Sequence, residues 1–242
     1  MDQHPTLAVV RAALAPQRAL SRRFKSHVRR AFLRLWLTLS GFGPSVRRSL
    51  DVLVTGVGLL CLLPLFALAA LAVRLDSKGP IFFAQERIGE RGRRFRMWKF
   101  RTMVVNADAL KDELTKKHAA AVDGVRFKLV RDPRVTRVGR VLRKFSIDEL
   151  PQLFNVLQGD MTLIGPRPPV WREVARYDNR ALRRLEVKPG LTCLWQVRGR
   201  SDLTFEQQVS LDIEYIDQVR PLDELRILLE TVPAVVAGKG AY

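Results

Sequence analysis

The chain has 242 residues, a formal net charge of +18 and 47% hydrophobic residues. That hydrophobic share suffices for a packed core and excludes a disordered polycation, and the length allows one or two domains. The basic excess calls for an anionic partner, which leaves a phosphorylated substrate, an anionic lipid surface or nucleic acid.

Residues 1–48 are a basic extension, with arginines and a lysine facing a single acid, Asp2. Leu20, Phe24, Val28, Phe32 and Leu35 recur at helical spacing between those cations. The pattern predicts a basic amphipathic helix, lying either on anionic lipid or on the main domain. No apolar signal-peptide core precedes it, so a cleaved leader is not expected. Cys61 and Cys193 lie far apart, one of them inside an apolar run, and no bridge between them is expected.

Val52 to Val73 carries no charged residue. A helix of that length spans roughly 30 Å, about one bilayer core, and so long a stretch without a polar face points to a membrane. Pro64 interrupts it, and both flanks are basic: Arg47 and Arg48 before, Arg74, Lys78 and Arg87 after. Basic residues at both ends favour a helix bent at Pro64 that enters and leaves by one face, over a kinked single pass.

Beyond Gly79-Pro80 the period becomes that of strands. Ile81 to Ile88 and Phe95 to Phe100 flank a turn and predict a hairpin with Arg87, Lys99 and Arg101 on one face. A surface helix is expected over residues 107–117, a turn at Arg131-Asp132-Pro133 and a short basic helix from Val138 to Phe145. Then comes Arg143-Lys-Phe-Ser146-Ile-Asp148-Glu149-Leu-Pro151-Gln-Leu-Phe-Asn155. Ser146 with Glu149 reads as a capping box and Pro151 as a first-turn proline, which places both acids at a helix N-terminus. A short strand follows and ends in the rigid turn Gly165-Pro-Arg167-Pro-Pro169, with one basic helix over Val170 to Leu185. Phe205 to Ile216 predicts a helix, and Leu222 to Ala237, interrupted by Pro233, a second membrane-surface helix.

Suppose that the site handles a diphosphate substrate at a membrane surface. Carboxylate attack on phosphorus needs the negative charges kept apart, which Mg²⁺ does best, while arginines fork onto phosphate oxygens. Asp148 is the candidate nucleophile, with Arg143, Arg167, Lys99 and Arg200 as a positive shell. The only histidines are His4, His27 and His118, unpaired, which excludes a histidine zinc site and a histidine-dependent triad. No glycine-rich nucleotide motif is present, and the apolar run argues against a nucleic-acid binder.

From about Ser49 onward the chain resembles the bacterial sugar transferase family, the small monotopic phosphoglycosyl transferases. The resemblance is carried by Gln85-x-Arg87-x-Gly89, Lys99-Phe-Arg-Thr-Met103, Asp148-Glu-Leu-Pro-Gln-Leu153, Gly165-Pro-Arg-Pro168, Lys188-Pro-Gly-Leu-Thr192, Gln196-Val-x-Gly-Arg200 and Leu211-Asp-x-x-Tyr215, in that order. It implies transfer of sugar-1-phosphate from a UDP-sugar to undecaprenyl phosphate with release of UMP, through a covalent aspartyl phosphosugar. Asp148 would be the nucleophile and Mg²⁺ ligand, and Glu149 its catalytic partner. Lys99, Arg143, Arg167, Gln196 and Arg200 would surround phosphates and nucleotide.

The implied fold is α+β and mostly helical, a monotopic membrane protein with a small hairpin and interfacial helices. Its parts would be an extension over 1–48, a re-entrant helix over 49–76 bent at Pro64, and a catalytic domain over 77–242 on the cytoplasmic face of the bacterial inner membrane. Membrane lipid, downstream glycosyltransferases and a second copy in a homodimer are the partners this reading allows. The contrasting class is a non-catalytic membrane-surface docking module. Two positions depart from the family pattern: Leu63 stands where a serine often precedes the proline, and Cys193 where glycine is usual. With only a basic extension ahead of the apolar run, the chain reads as the family's short form.

Overall fold

The uncharged run forms a single long helix, α1 (Pro44–Asp76). The structure, a computed structural model, describes residues 43–107, 109–110, 122–123, 126–127, 132–199, 202–218 and 221–237. The expected N-terminal amphipathic helix, most of the helix over 107–117, Arg131 and Arg200 lie outside the described residues.

At 33 residues α1 is about 50 Å long. Its faces differ at helical spacing: Asp51, Thr55, Ala69 and Val73 are buried, while Leu53, Val57, Leu60, Leu68, Leu71 and Leu75 are exposed. The inner face rests on the rest of the protein and the outer apolar face has no partner among the described residues. The helix runs unbroken through Pro64, so whatever bend the ring introduces leaves it one element.

Both ends of α1 are fastened to the same domain. Near its start, Arg48 donates to the Leu157 carbonyl at 2.6 Å and Arg47 pairs with Glu224 at 2.6 Å. Asp51 accepts from the Thr162 hydroxyl at 2.6 Å. Near its end, Ala69 and Val73 pack on Phe100 and Leu142, and Asp76 accepts from the Val138 amide at 3.1 Å. Arg47 and Arg48, which the sequence presents as flanking charges, are thus anchors to protein as well.

The predicted hairpin is present. β1 (Phe82–Ile88) and β2 (Arg94–Phe100) pair antiparallel from Phe82↔Phe100 to Ile88↔Arg94. That register puts Arg87 and Lys99 on one face, as the alternation requires. Arg101 does not join them: its guanidinium turns to the Ser77 and Lys78 carbonyls at 2.7 and 3.1 Å. A second, smaller hairpin joins β3 (Val122–Asp123) and β4 (Arg126–Phe127).

α2 (Arg137–Lys144) starts at Thr136, whose hydroxyl accepts from the Gly139 amide at 3.0 Å. α3 (Gln152–Gln158) is tied to β2 by Asn155, which is fully buried. Its amide accepts from the Trp98 N–H at 3.0 Å and donates to the Arg96 carbonyl at 2.7 Å. β5 (Thr162–Ile164) and β6 (Gly190–Thr192) form a parallel pair that the sequence did not announce. A Cβ on Gly190 would lie 2.0 Å from the Gly165 nitrogen, so both chains need glycine to approach this closely.

The single basic helix expected over 170–185 is two short ones, α4 (Trp171–Val174) and α5 (Asn179–Leu182), the latter running into a 3₁₀ turn at Arg183–Leu185. The break follows from Asp178, whose carboxylate caps α5 by accepting from the Ala181 amide at 2.7 Å. It also lets Tyr177 and Ala181 pack against Val209 and Ile213. α6 (Leu194–Arg198), α7 (Phe205–Gln218) and α8 (Pro221–Ala237) complete the fold. α8 buries Leu225 and Ile227 and leaves Leu229 and Val232 exposed beside Asp223 and Arg226.

The main core joins Phe95 and Met97 of β2, Leu153 and Val156 of α3, Leu163 and Ile164 of β5, and Tyr215 of α7. The architecture is α+β and mostly helical, as the sequence implies, with one helix long and apolar enough for a membrane. One charged domain grips both ends of α1. Cysteines placed at Ser45 and Lys78 in a Cys61→Ser background are expected to react with an impermeant maleimide from the same side of sealed vesicles. Labelling from opposite sides would show a crossing.

Candidate active site

The two adjacent acids are set by a change of backbone direction. α2 ends at Lys144, and Ser146 takes a left-handed conformation, φ 54°. A 3₁₀ turn over Ile147–Glu149 follows, and α3 begins only at Gln152. The expected capping box is therefore absent: Ser146 makes no side-chain cap. The reason lies with Glu149, whose carboxylate turns inward to two cations and cannot reach back to the backbone. Asp148 accordingly sits in the turn ahead of the helix, not at its N-terminus.

Glu149 Oε1 accepts from Lys99 Nζ at 2.7 Å and from the Arg167 guanidinium at 3.1 Å. Burial alone would push this carboxyl up, but Lys99 and Arg167 outweigh it and hold it well below the ordinary range. Asp148 is buried too, and its nearest cation, Lys99, is 4.0 Å away. No hydrogen bond from a described residue reaches its carboxylate. Burial, with the charge of Glu149 beside it, pushes Asp148 up despite Lys99 and Arg143. Two neighbouring acids are thus driven in opposite directions.

The shell around them is cationic. Arg143, at the end of α2, donates to the Thr102 hydroxyl at 2.9 Å, and its charge acts on Asp148. Arg167 is presented by the Pro-Arg-Pro turn, whose backbone is held from both sides. Arg87 donates to the Pro168 carbonyl at 2.9 Å and Arg184 to the Arg167 carbonyl at 3.3 Å. Burial, reinforced by the Arg167 charge, lowers the Arg87 pKa to about 10. Gln196 of α6 accepts from the Cys193 thiol at 3.3 Å. Cys193 has an extended backbone and a fully buried side chain, so a residue other than glycine fits there.

Asp148, Glu149, Lys99, Arg143, Arg167 and Gln196 all line one cavity of about 1200 Å³. Every described site residue expected from the sequence therefore meets in one place; Arg200 is outside the described residues, and Pro64 is an exposed residue of α1. Among the described residues no cluster of three histidine, cysteine or acidic side chains exists to cage a metal. A carboxylate that accepts no hydrogen bond from a described residue suits Mg²⁺, which takes one or two carboxylates plus substrate oxygens.

Sequence reasoning passed over the support beneath the site. Arg184 and Asp212 form an ion pair at 2.8 Å with 4% and 0% exposure. Arg184 also donates to the Tyr177 hydroxyl at 2.7 Å. In the sequence Arg184 is one arginine of a basic run. Only the Leu211-Asp-x-x-Tyr215 motif hinted that Asp212 faces inward.

Residues 43–238 match the sequence profile described as bacterial sugar transferase. The chain belongs to the bacterial sugar transferase family. This sugar transferase is 44% identical over 198 residues to the exopolysaccharide production protein ExoY of Sinorhizobium fredii, covering 81% of this chain and 88% of that one. It is 41% identical over 221 residues to the UDP-glucose:undecaprenyl-phosphate glucose-1-phosphate transferase of Caulobacter vibrioides, covering 85% and 78%. With the undecaprenyl-phosphate galactose phosphotransferase of Salmonella typhimurium it shares 40% over 199 residues, covering 81% of this chain and 42% of that one. Its enzyme class is that of the phosphoglycosyl transferases.

Removing one partner from the buried pair strands the other charge, which costs about 3–5 kcal/mol. Asp212→Ala is therefore expected to lower the unfolding midpoint of the sugar transferase sharply. Asp212→Leu combined with Arg184→Met should recover most of the loss in the same thermal denaturation series.

Proposed function

We propose that this sugar transferase moves sugar-1-phosphate from a UDP-sugar to undecaprenyl phosphate, releasing UMP, at the cytoplasmic face of the bacterial inner membrane. The product would open the assembly of an exopolysaccharide. The observation that carries this reading is the unequal carboxylate pair: Glu149 bonded to Lys99 and Arg167, Asp148 buried and without a hydrogen bond from any described residue. The names of the relatives supply the substrate classes.

Asp148 Oδ attacks the β-phosphorus of the donor. An oxygen–phosphorus bond forms as the bond from that phosphorus to the bridging oxygen breaks, and UMP departs with the electron pair. In the second half, an oxygen of the acceptor phosphate attacks the same phosphorus and Asp148 leaves. A lipid diphosphate sugar results, and the carboxylate returns to its starting state. Splitting the transfer in this way lets one nucleophile serve two substrates in turn.

Burial favours the attack, because a poorly solvated carboxylate gains more on bonding to phosphorus. Glu149 does not attack; its charge fixes Lys99 and Arg167, whose remaining donors face the phosphate oxygens. Arg143 offsets the charge of Asp148 and of the incoming phosphates. Asp148 together with donor oxygens would hold Mg²⁺, which when bound neutralises the phosphate charge that opposes an anionic nucleophile.

Native protein assayed with Mg²⁺, undecaprenyl phosphate and a panel of UDP-sugars is expected to release UMP with at least one of them. Asp148→Asn should reduce that release by about 10³-fold or more while membrane binding is unchanged. Inactivity of the native chain across the panel, with membrane binding intact, would favour a docking module instead.

A further inference from the structure

The cavity that holds Asp148 and Glu149 is lined by cations and also by apolar residues of α1 and α8: Val54, Gly58 and Leu62 of the first, Leu228, Val232 and Val235 of the second. Neither helix contributes a charged residue to its wall. α1 is also the helix whose outer side, with Leu53, Val57 and Leu60, is exposed and apolar. One cavity thus joins a cluster of cations to the long apolar helix.

Gly58 is the unusual residue in this wall. Inside a helix glycine is the least favourable residue after proline. No close packing demands it: a Cβ at Gly58 would meet nothing within 4 Å. The open space in front of it is the cavity. Gly56, two residues earlier, is equally uncrowded but does not line the cavity.

We propose that the groove between α1 and α8 seats the isoprenoid chain next to the acceptor's phosphate, with Gly58 setting its width. This rests on the acceptor named above. An acceptor of that class has an anionic head and an apolar tail, and the cavity offers cationic side chains and an aliphatic stretch of wall. Its phosphate must reach the phosphorus held by Asp148, and its tail must run from there to the bilayer. The sugar and uridine of the donor are polar and gain nothing from an aliphatic wall. A side chain at position 58 would occupy the path of the tail and leave the donor's contacts alone.

The test is steady-state kinetics of the full chain in nanodiscs, with undecaprenyl phosphate and UDP-sugar varied separately. Gly58→Leu and Gly58→Trp are expected to raise KM for undecaprenyl phosphate at least tenfold and leave KM for the UDP-sugar unchanged. Gly56→Leu is expected to match the native chain for both. A native acceptor KM in Gly58→Leu, or an equal rise for both substrates, would overturn the groove. So would a phospholipid that copurifies with the native chain and is lost from Gly58→Leu while acceptor kinetics stay the same, since that assigns the groove to bulk lipid. Absence of UMP release in the native chain would instead defeat the proposed reaction, and with it this occupant.

Discussion

A lysine buried between two adjacent carboxylates cannot serve both equally. Lys99 lies 2.7 Å from Glu149 and 4.0 Å from Asp148, and Arg167 adds its own bond to the same oxygen of Glu149. Two residues that are neighbours in the chain thereby acquire different chemistry. Glu149 is locked in its ionised form as the centre of a cation cluster. Asp148 is left buried, crowded by a like charge and without a donor among the described residues. The same asymmetry explains why the Asp-Glu pair does not act as the start of a helix. The inward pull of Lys99 and Arg167 on Glu149 competes with a backbone cap, and two charged donors outweigh one capping bond.

Much of the surrounding fold can be understood as fixing the places of those two cations. Asn155 ties α3, which follows the acids, to β2, which carries Lys99. Glycines at 165 and 190 let β5 and β6 approach closely enough to set the direction of the Pro-Arg-Pro turn. Arg87 and Arg184 then hold the carbonyls of that turn, and Asp212 holds Arg184. A flexible arginine is thus placed by rigid proline geometry and by backbone contacts on either side, so little is lost in ordering it at the moment of reaction. α1 adds an apolar wall to the cavity that holds this cluster and is anchored at both ends to the domain it serves.

Features with a local or periodic origin were legible in the sequence. The uncharged run gave α1, and alternation gave the hairpin with Arg87 and Lys99 on one face. The ordered motifs brought the described site residues into one cavity. What the sequence concealed depends on contacts between distant residues. The capping box looked sound because Ser146 and Glu149 have the right spacing, and nothing local reveals that Lys99, fifty positions away, claims the carboxylate. The helix over 170–185 looked continuous because nothing local in its basic run sets Arg184 apart from its neighbours. Burial of Arg184 against Asp212 becomes visible only once α7 is in place. β5 was legible as a short strand ahead of Gly165, but its parallel partner β6 is too short to announce itself, and the signal of the pairing was the pair of glycines flanked by prolines.

The account stands on Asp148 as the group that carries the phosphosugar. Intact mass spectrometry of the protein after incubation with Mg²⁺ and a UDP-sugar alone, with no lipid acceptor, tests this most directly. A mass increase equal to one sugar phosphate, mapped by proteolysis to Asp148 and absent in Asp148→Asn, is the predicted result. An unmodified protein that nevertheless turns over when both substrates are supplied together would contradict it.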